Sequence, residues 1–197
     1  MEKNTGKLII GVVTVIVIAL YVIFVIQPTF TSNDDSYQKP VTEDEDIVYE
    51  RFYDIGSGVN DWWVNYPLKH ETPGVGVSHP DWCTDDVAKA PVIIFVHSDD
   101  CAPCVTQKRN LNNLFANYPS TSYKYHPLPA TFENERSMEA FEIYDPTGGM
   151  PYIPLTVFVT LMEDGDTIKT VWHAREGAMT ETELQRYLDD AMMFYEG

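Results

Sequence analysis

Positive charge is scarce in this chain. Its 197 residues hold 13 Lys and Arg against 30 Asp and Glu, a formal net charge of −17. A surface of that sign repels nucleic acid and anionic lipid headgroups, so no nucleic-acid partner is expected. The acidity reads as a solubility device, with a basic partner protein as the narrower alternative. Cysteine is scarce as well: there are three, an odd number, which argues against a framework of paired structural disulfides. No segment repeats at a fixed period. Clustered metal ligands are also missing. Cys101 and Cys104 form a Cys-x-x-Cys pair, but a zinc site needs two further ligands. Cys83 and one of the scattered His70, His79, His97 or His126 could supply them, but no second clustered pair exists. No metal and no other cofactor is therefore expected.

The chain does have length for one domain with appendages, and 44% hydrophobic residues, enough for an ordinary core. Residues 8–26, LIIGVVTVIVIALYVIFVI, run for 19 positions without a charge. Such a run spans a hydrocarbon layer of about 30 Å at about 1.5 Å per helical residue. It is longer than a signal-peptide core and no small-residue cleavage pattern follows it, so it reads as an uncleaved transmembrane anchor. Lys3 and Lys7 precede it and Asp34 and Asp35 follow. The expected orientation puts the N-terminus in the cytoplasm and everything from Pro28 onward outside, at the cell membrane. The expected organisation is an anchor at 1–27, an acidic linker at 28–46, an extension packed on the domain at 47–80, and the domain proper at 81–197. The extension is expected to hold one short strand or helix among Gly- and Pro-rich loops. Within it the Trp62-Trp63 pair reads as packing, with partner binding as the alternative.

The chemistry concentrates further on. Residues 91–97, PVIIFVH, form a continuous apolar run rich in β-branched side chains, the signature of a strand buried on both faces. The polar Ser98-Asp99-Asp100 follows, then Cys101-Ala102-Pro103-Cys104, then a helical pattern on Val105, Lys108, Leu111, Leu114, Phe115 and Tyr118. Pro103 fits the first turn of a helix, where an absent N–H is no loss. Two cysteines three residues apart at a helix start share one face and can close a disulfide. The first of them would sit at the helix N-terminus, where backbone N–H groups and the helix dipole favour a thiolate. The thiolate is the species that attacks disulfides. Cys101 is thus the expected nucleophile and Cys104 the resolving thiol.

This order of strand, Cys-Ala-Pro-Cys, helix, and later Ile153-Pro154 resembles the thioredoxin-like superfamily. The resemblance covers about residues 82–197. It implies an α/β fold with a central mixed sheet flanked by helices, here with one N-terminal transmembrane helix added. It also implies that Pro154 is cis and faces the cysteines, with Pro151 as the alternative, and that Ile153 pairs with a substrate backbone. The activity it implies is thiol–disulfide exchange on extracytoplasmic protein thiols and disulfides, at the membrane, with a membrane electron-transfer partner. The alternative is a non-catalytic binding module in which the Cys101–Cys104 bond is structural.

Three positions depart from the family pattern. Asp100 stands where many members have an aromatic residue, with Asp99 beside it; two carboxylates oppose ionisation of a nearby thiol, while the helix terminus favours it. Phe95 occupies the place of a buried Asp that helps deprotonate the second cysteine. His97 is a candidate proton shuttle in its stead, against the plainer reading of a partly buried, hydrogen-bonded histidine. Cys83 reads as an ordinary buried residue, with a relay disulfide to Cys101 as the alternative. The remaining pattern gives a strand at 121–128, a helix at 133–144 with Phe141 and Tyr144 inward, and strands at 155–162 and 167–174 about a Glu-Asp-Gly-Asp turn. A last helix opens on a Thr180/Glu183 capping box with Met179 stapled to Leu184. Its expected stripe is Leu184, Tyr187, Leu188, Ala191, Met192 and Tyr195.

Overall fold

The structure, a computed structural model, describes residues 50–196. The expected anchor and linker and Gly197 lie outside the described residues. All described residues belong to one compact unit. No helix among them is long and apolar enough to cross a membrane.

In chain order the elements are α1 (Asp81–Val87), β1 (Val92–His97), α2 (Ala102–Phe115), β2 (Lys124–Pro129), α3 (Glu135–Tyr144), β3 (Leu155–Asp164), β4 (Thr167–Glu176) and α4 (Glu181–Glu196). The strands form one mixed sheet in the order β2-β1-β3-β4. β1 runs parallel to β2 and antiparallel to β3, and β3 and β4 form an antiparallel hairpin. The parallel β1–β2 pair needs a crossover, which α2 supplies. β1 is central, and its five residues from Val92 to Val96 are fully buried. Burying each such side chain is worth about 1.5–3 kcal/mol, which explains why an uninterrupted apolar run lies here. Strand alternation splits that run. Ile93 and Phe95 enter one core cluster, with α2 and α4; Val92, Ile94 and Val96 enter a second, with α1 and α3.

β2 begins at Lys124, three residues later than expected, and includes Pro127 and Pro129. Proline is tolerated because β2 is an edge strand with β1 on one side only. The β3–β4 hairpin turns on Gly165 and Asp166, with Asp164 opposite Thr167. Gly165 takes φ +61° there, a left-handed conformation that a Cβ would disfavour. The capping box is present: the Thr180 N–H donates to Glu183 at 2.8 Å, and the Glu183 N–H donates to Thr180 Oγ1 at 3.2 Å.

Three expectations about packing are corrected. In α2 the buried face is Cys104, Gln107, Leu111 and Leu114, while Val105 is 58% exposed and Lys108 is exposed. The helix starts with Cys101 as N-cap, and that start fixes a phase that turns Val105 outward. In α4 Phe194 takes the buried place expected of Tyr195, whose hydroxyl instead donates to the Ala88 carbonyl at 3.0 Å. The described part of the extension, residues 50–80, has no regular helix or strand, only isolated bridges at Ile55–Trp62, Trp63–Trp172 and Asn65–Gly76.

The extension nevertheless supplies core. Trp63 exchanges backbone hydrogen bonds with Trp172 on β4, at 2.7 and 2.9 Å. Successive side chains of extended backbone point to opposite sides, so Trp62 enters the α2/α4 core and Trp63 the α1/α3 core, each fully buried. Asp190 on α4 fastens the segment. Its buried carboxylate accepts the Phe52 N–H (2.7 Å), the Tyr53 N–H (3.0 Å) and the Trp62 Nε1–H (3.1 Å).

Candidate active site

β1 delivers the chain to the sheet's C-terminal edge, and α2 starts within a few residues. Cys101 is the N-cap of α2 and Pro103 lies in its first turn. Cys101 and Cys104 form a disulfide, with Cα atoms 5.1 Å apart. The Cys104 N–H donates to Cys101 Sγ at 3.2 Å, the interaction by which a helix N-terminus stabilises charge on a capping atom. Cys101 is partly exposed and Cys104 is buried. The antiparallel register sets Phe95 opposite Thr156 and Val96 opposite Leu155. That pairing carries the start of β3 to the end of β1. The Ile153–Pro154 peptide bond just before it is cis, and the Ile153 carbonyl oxygen lies 3.8 Å from Cys101 Sγ. The Pro154 carbonyl accepts the Gly177 N–H at 2.8 Å.

The fold is thioredoxin-like. A mixed sheet of this order, a cysteine pair opening the crossover helix, and a cis-proline opposite it carry that assignment. No protein-family model matches the sequence, and no curated protein sequence does. Among solved structures the chain is similar to a thioredoxin of Trichomonas vaginalis, with 17% identity over 55% of this chain and 84% of that one and a TM-score of 0.39. It is also similar to a thiol:disulfide interchange protein of the thioredoxin family from Chlorobium tepidum, with 12% identity over 54% and 82% and a TM-score of 0.38. Bacillus subtilis StoA matches with 17% identity over 50% and 82% and a TM-score of 0.32.

Around the thioredoxin-like cysteine pair, the structure brings Cys101, Cys104, Ile153 and Pro154 together. Asp99 and Asp100 stand on the solvent side. Asp99 is 89% exposed with Lys108 Nζ 4.0 Å away, and the Asp100 N–H donates to Ser98 Oγ at 3.4 Å. His97 is half-buried and its ring stacks on Phe95, with centroids 4.7 Å apart at 16°. Burial lowers its pKa below the ordinary histidine value, and the Lys108 charge adds to that against an opposing contribution from Asp99. His97 is therefore mainly neutral at neutral pH. Phe95 is fully buried in the same core cluster as Cys104.

Two supporting residues escaped the sequence reading. Gln107 is completely buried one turn after Cys104; its amide donates to Thr156 Oγ1 at 2.8 Å, and its carbonyl accepts the Met179 N–H at 2.7 Å. It ties α2 to the strand leaving Pro154. The signal available for it was a polar residue three positions after Cys104, on the cysteine's own helix face. The second is Glu176 at the end of β4, which accepts the Tyr152 N–H at 2.9 Å. No local pattern marks it, because it meets Tyr152 only through the β3–β4 pairing.

Cys83 lies in the core on the other face of the sheet from Cys104. It is completely buried and accepts a hydrogen bond from the Tyr144 hydroxyl at 3.3 Å; His79 Nδ1 stands 2.9 Å from that hydroxyl oxygen. Burial pushes its thiol up to about 11. With the sheet between them, a relay disulfide from Cys83 to Cys101 is excluded without unfolding. Among the described residues no group of three or more His, Cys, Asp or Glu is placed to hold a metal ion.

Proposed function

We propose that this domain is a thiol–disulfide oxidoreductase acting on protein substrates. The observation that carries the reading is the placement of Cys101, a partly exposed residue whose Sγ receives the Cys104 N–H and lies 3.8 Å from the Ile153 carbonyl oxygen beside cis-Pro154. In the reducing direction the Cys101 thiolate attacks one sulfur of a substrate disulfide, forming a mixed disulfide and releasing a substrate thiolate. Cys104 then loses its proton and attacks Cys101 Sγ. The second substrate sulfur leaves as a thiolate, and Cys101–Cys104 closes as the disulfide, two electrons having passed to the substrate. The oxidising direction is the reverse. With the apolar Phe95 in the core that encloses Cys104, the proton of Cys104 goes to water or to a group at the rim; neutral His97 has the capacity to take it.

In this reading the apolar run at residues 8–26 tethers the domain to the cell membrane. Lys3 and Lys7 stay in the cytoplasm and the domain works on the extracytoplasmic side, where disulfides persist. A reducing cycle there draws electrons from a partner in the same membrane. The second reading is a binding module with a structural Cys101–Cys104 bond, and Phe95, an aromatic residue where the family has a buried acid, favours it. Insulin reduction by the full chain in detergent separates the two. Activity that disappears in Cys101→Ser supports the enzyme; equal inactivity of both proteins overturns it. Equilibration against a thiol buffer then gives the direction, since a potential of about −270 mV is thioredoxin's and one near about −120 mV belongs to a strong oxidant.

A further inference from the structure

The backbone on either side of Ile153 is held by two consecutive residues at the end of β4. Glu176 pairs in register with Leu155, and its Oε1 accepts the Tyr152 N–H at 2.9 Å. Gly177 donates its N–H to the Pro154 carbonyl at 2.8 Å. Ile153, between these two attachments, presents its carbonyl to Cys101 Sγ at 3.8 Å. Upstream, Thr147-Gly148-Gly149-Met150-Pro151 is loop, and Gly149, Met150 and Pro151 are all exposed. The part of the extension around Lys69 also meets this loop. The Glu71 N–H donates to the Thr147 carbonyl at 2.9 Å, and the Lys69 ammonium favours the charged form of Glu176 against burial and Asp145.

We propose that Glu176 is a positioning residue for protein substrates: by holding the Tyr152 N–H it orients the Ile153 peptide for pairing with a substrate backbone beside Cys101. The proposal rests on the oxidoreductase reading above. A glycine-bearing loop that must be ordered when substrate arrives weakens binding, and ordering it beforehand removes that penalty. Glu176 touches neither sulfur, so its removal acts on substrate binding and not on the chemistry of exchange.

The test uses the full chain in detergent, as wild type, Glu176→Ala and Glu176→Gln, with insulin and with bis(hydroxyethyl) disulfide as substrates. Glu176→Ala is expected to raise KM for insulin about fivefold with kcat within about twofold, the pattern of a lost binding interaction. The small disulfide has no backbone to pair, so its rate stays at the wild-type value. Glu176→Gln keeps an amide oxygen that accepts the Tyr152 N–H and stays near wild type on both substrates. Hydrogen exchange at the Tyr152 amide quickens in Glu176→Ala alone. An unchanged KM in Glu176→Ala overturns the proposal, as does a Gln variant as impaired as the Ala variant, or an equal loss on the small disulfide. Wild-type protein inactive on insulin overturns the oxidoreductase reading and this proposal with it; active wild type with an indistinguishable Glu176→Ala overturns this proposal alone.

Discussion

The two faces of the sheet each hold an enclosed cysteine, and the two could hardly differ more in chemical standing. On the α2/α4 face Cys104 is buried, but it is joined to Cys101, which sits half-open at the start of a helix with a cis-proline loop opposite. On the α1/α3 face Cys83 shares a core cluster with Val92, Ile94, Val96 and Trp172 and accepts a hydrogen bond from the Tyr144 hydroxyl. Reactivity follows position: a helix N-terminus stabilises a thiolate, whereas an apolar interior penalises one. The same element, sulfur, thus belongs to a partly exposed helix start on one side and to a closed core on the other.

The sharpest way to break this contrast is to exchange the cysteines' fates by mutation. Cys101→Ser is expected to lower insulin reduction by about a hundredfold or more, as loss of a nucleophile does, while Cys83→Ala leaves the rate unchanged. Mass spectrometry after brief alkylation of the reduced, folded protein near pH 8 is expected to find Cys101 labelled and Cys83 unlabelled until urea is added. Prompt labelling of Cys83 would falsify its enclosure.

Next in size are the residues that join the extension and the loops to the α2/α4 face. Asp190→Ala leaves three donors without their acceptor, one of them the indole of buried Trp62. It should lower stability by about 2–4 kcal/mol, measured by urea unfolding, with Asp190→Asn milder because one oxygen remains. Gln107→Ala strands the Met179 N–H and the Thr156 hydroxyl and should cost about 1–3 kcal/mol. A near-neutral result at Gln107 would show that α2 and β3 are held by apolar packing alone.

The faces can also be compared through their histidines. His173 stacks on Tyr187 at 4.0 Å on the disulfide face, and its Nε2 is buried without a partner among the described residues. His79 meets Tyr144 on the thiol face. Burial depresses both, His173 from 6.5 to about 3 and His79 from 6.5 to about 4. Between those values and 6.5 the unfolded chain binds protons that the native chain refuses. Their contribution to stability is therefore complete above about pH 6.5 and is lost as pH falls, levelling off near pH 4 for His79 and pH 3 for His173. Asp190 and Glu176, raised chiefly by burial, act in the opposite sense and moderate the slope. Urea melts from pH 7 to pH 4 should show falling stability. His173→Asn, which retains a donor near the Asp61 carbonyl, should flatten that fall more than His79→Asn does. An equal slope in all three proteins would place the acid response elsewhere.

How much of this was legible beforehand depends on the range of the interaction. The buried β1 run, the helix that opens at the cysteine pair, the Gly165 turn and the Thr180/Glu183 cap are signalled by neighbours within a few residues. The cis bond at Ile153–Pro154 came from a family resemblance and not from its neighbours. Val105 misled because the apolar pattern alone does not set helix phase; the N-cap at Cys101 does, and it turns Gln107 inward. The part of Trp62 and Trp63 was half-legible: two large aromatics suggested packing, but their division between two cores needed the Trp63–Trp172 bridge.

By itself, then, the sequence determined that a cysteine pair would open a helix, because a helix start depends on a few consecutive residues and the dipole they build. Only the tertiary structure decided which sulfur would be sealed away, which carboxylate would hold Tyr152, and which would clasp the extension. Cys83, Glu176 and Asp190 meet their partners across long stretches of chain, and the sheet's pairing register and the packing of helices on its faces set those meetings.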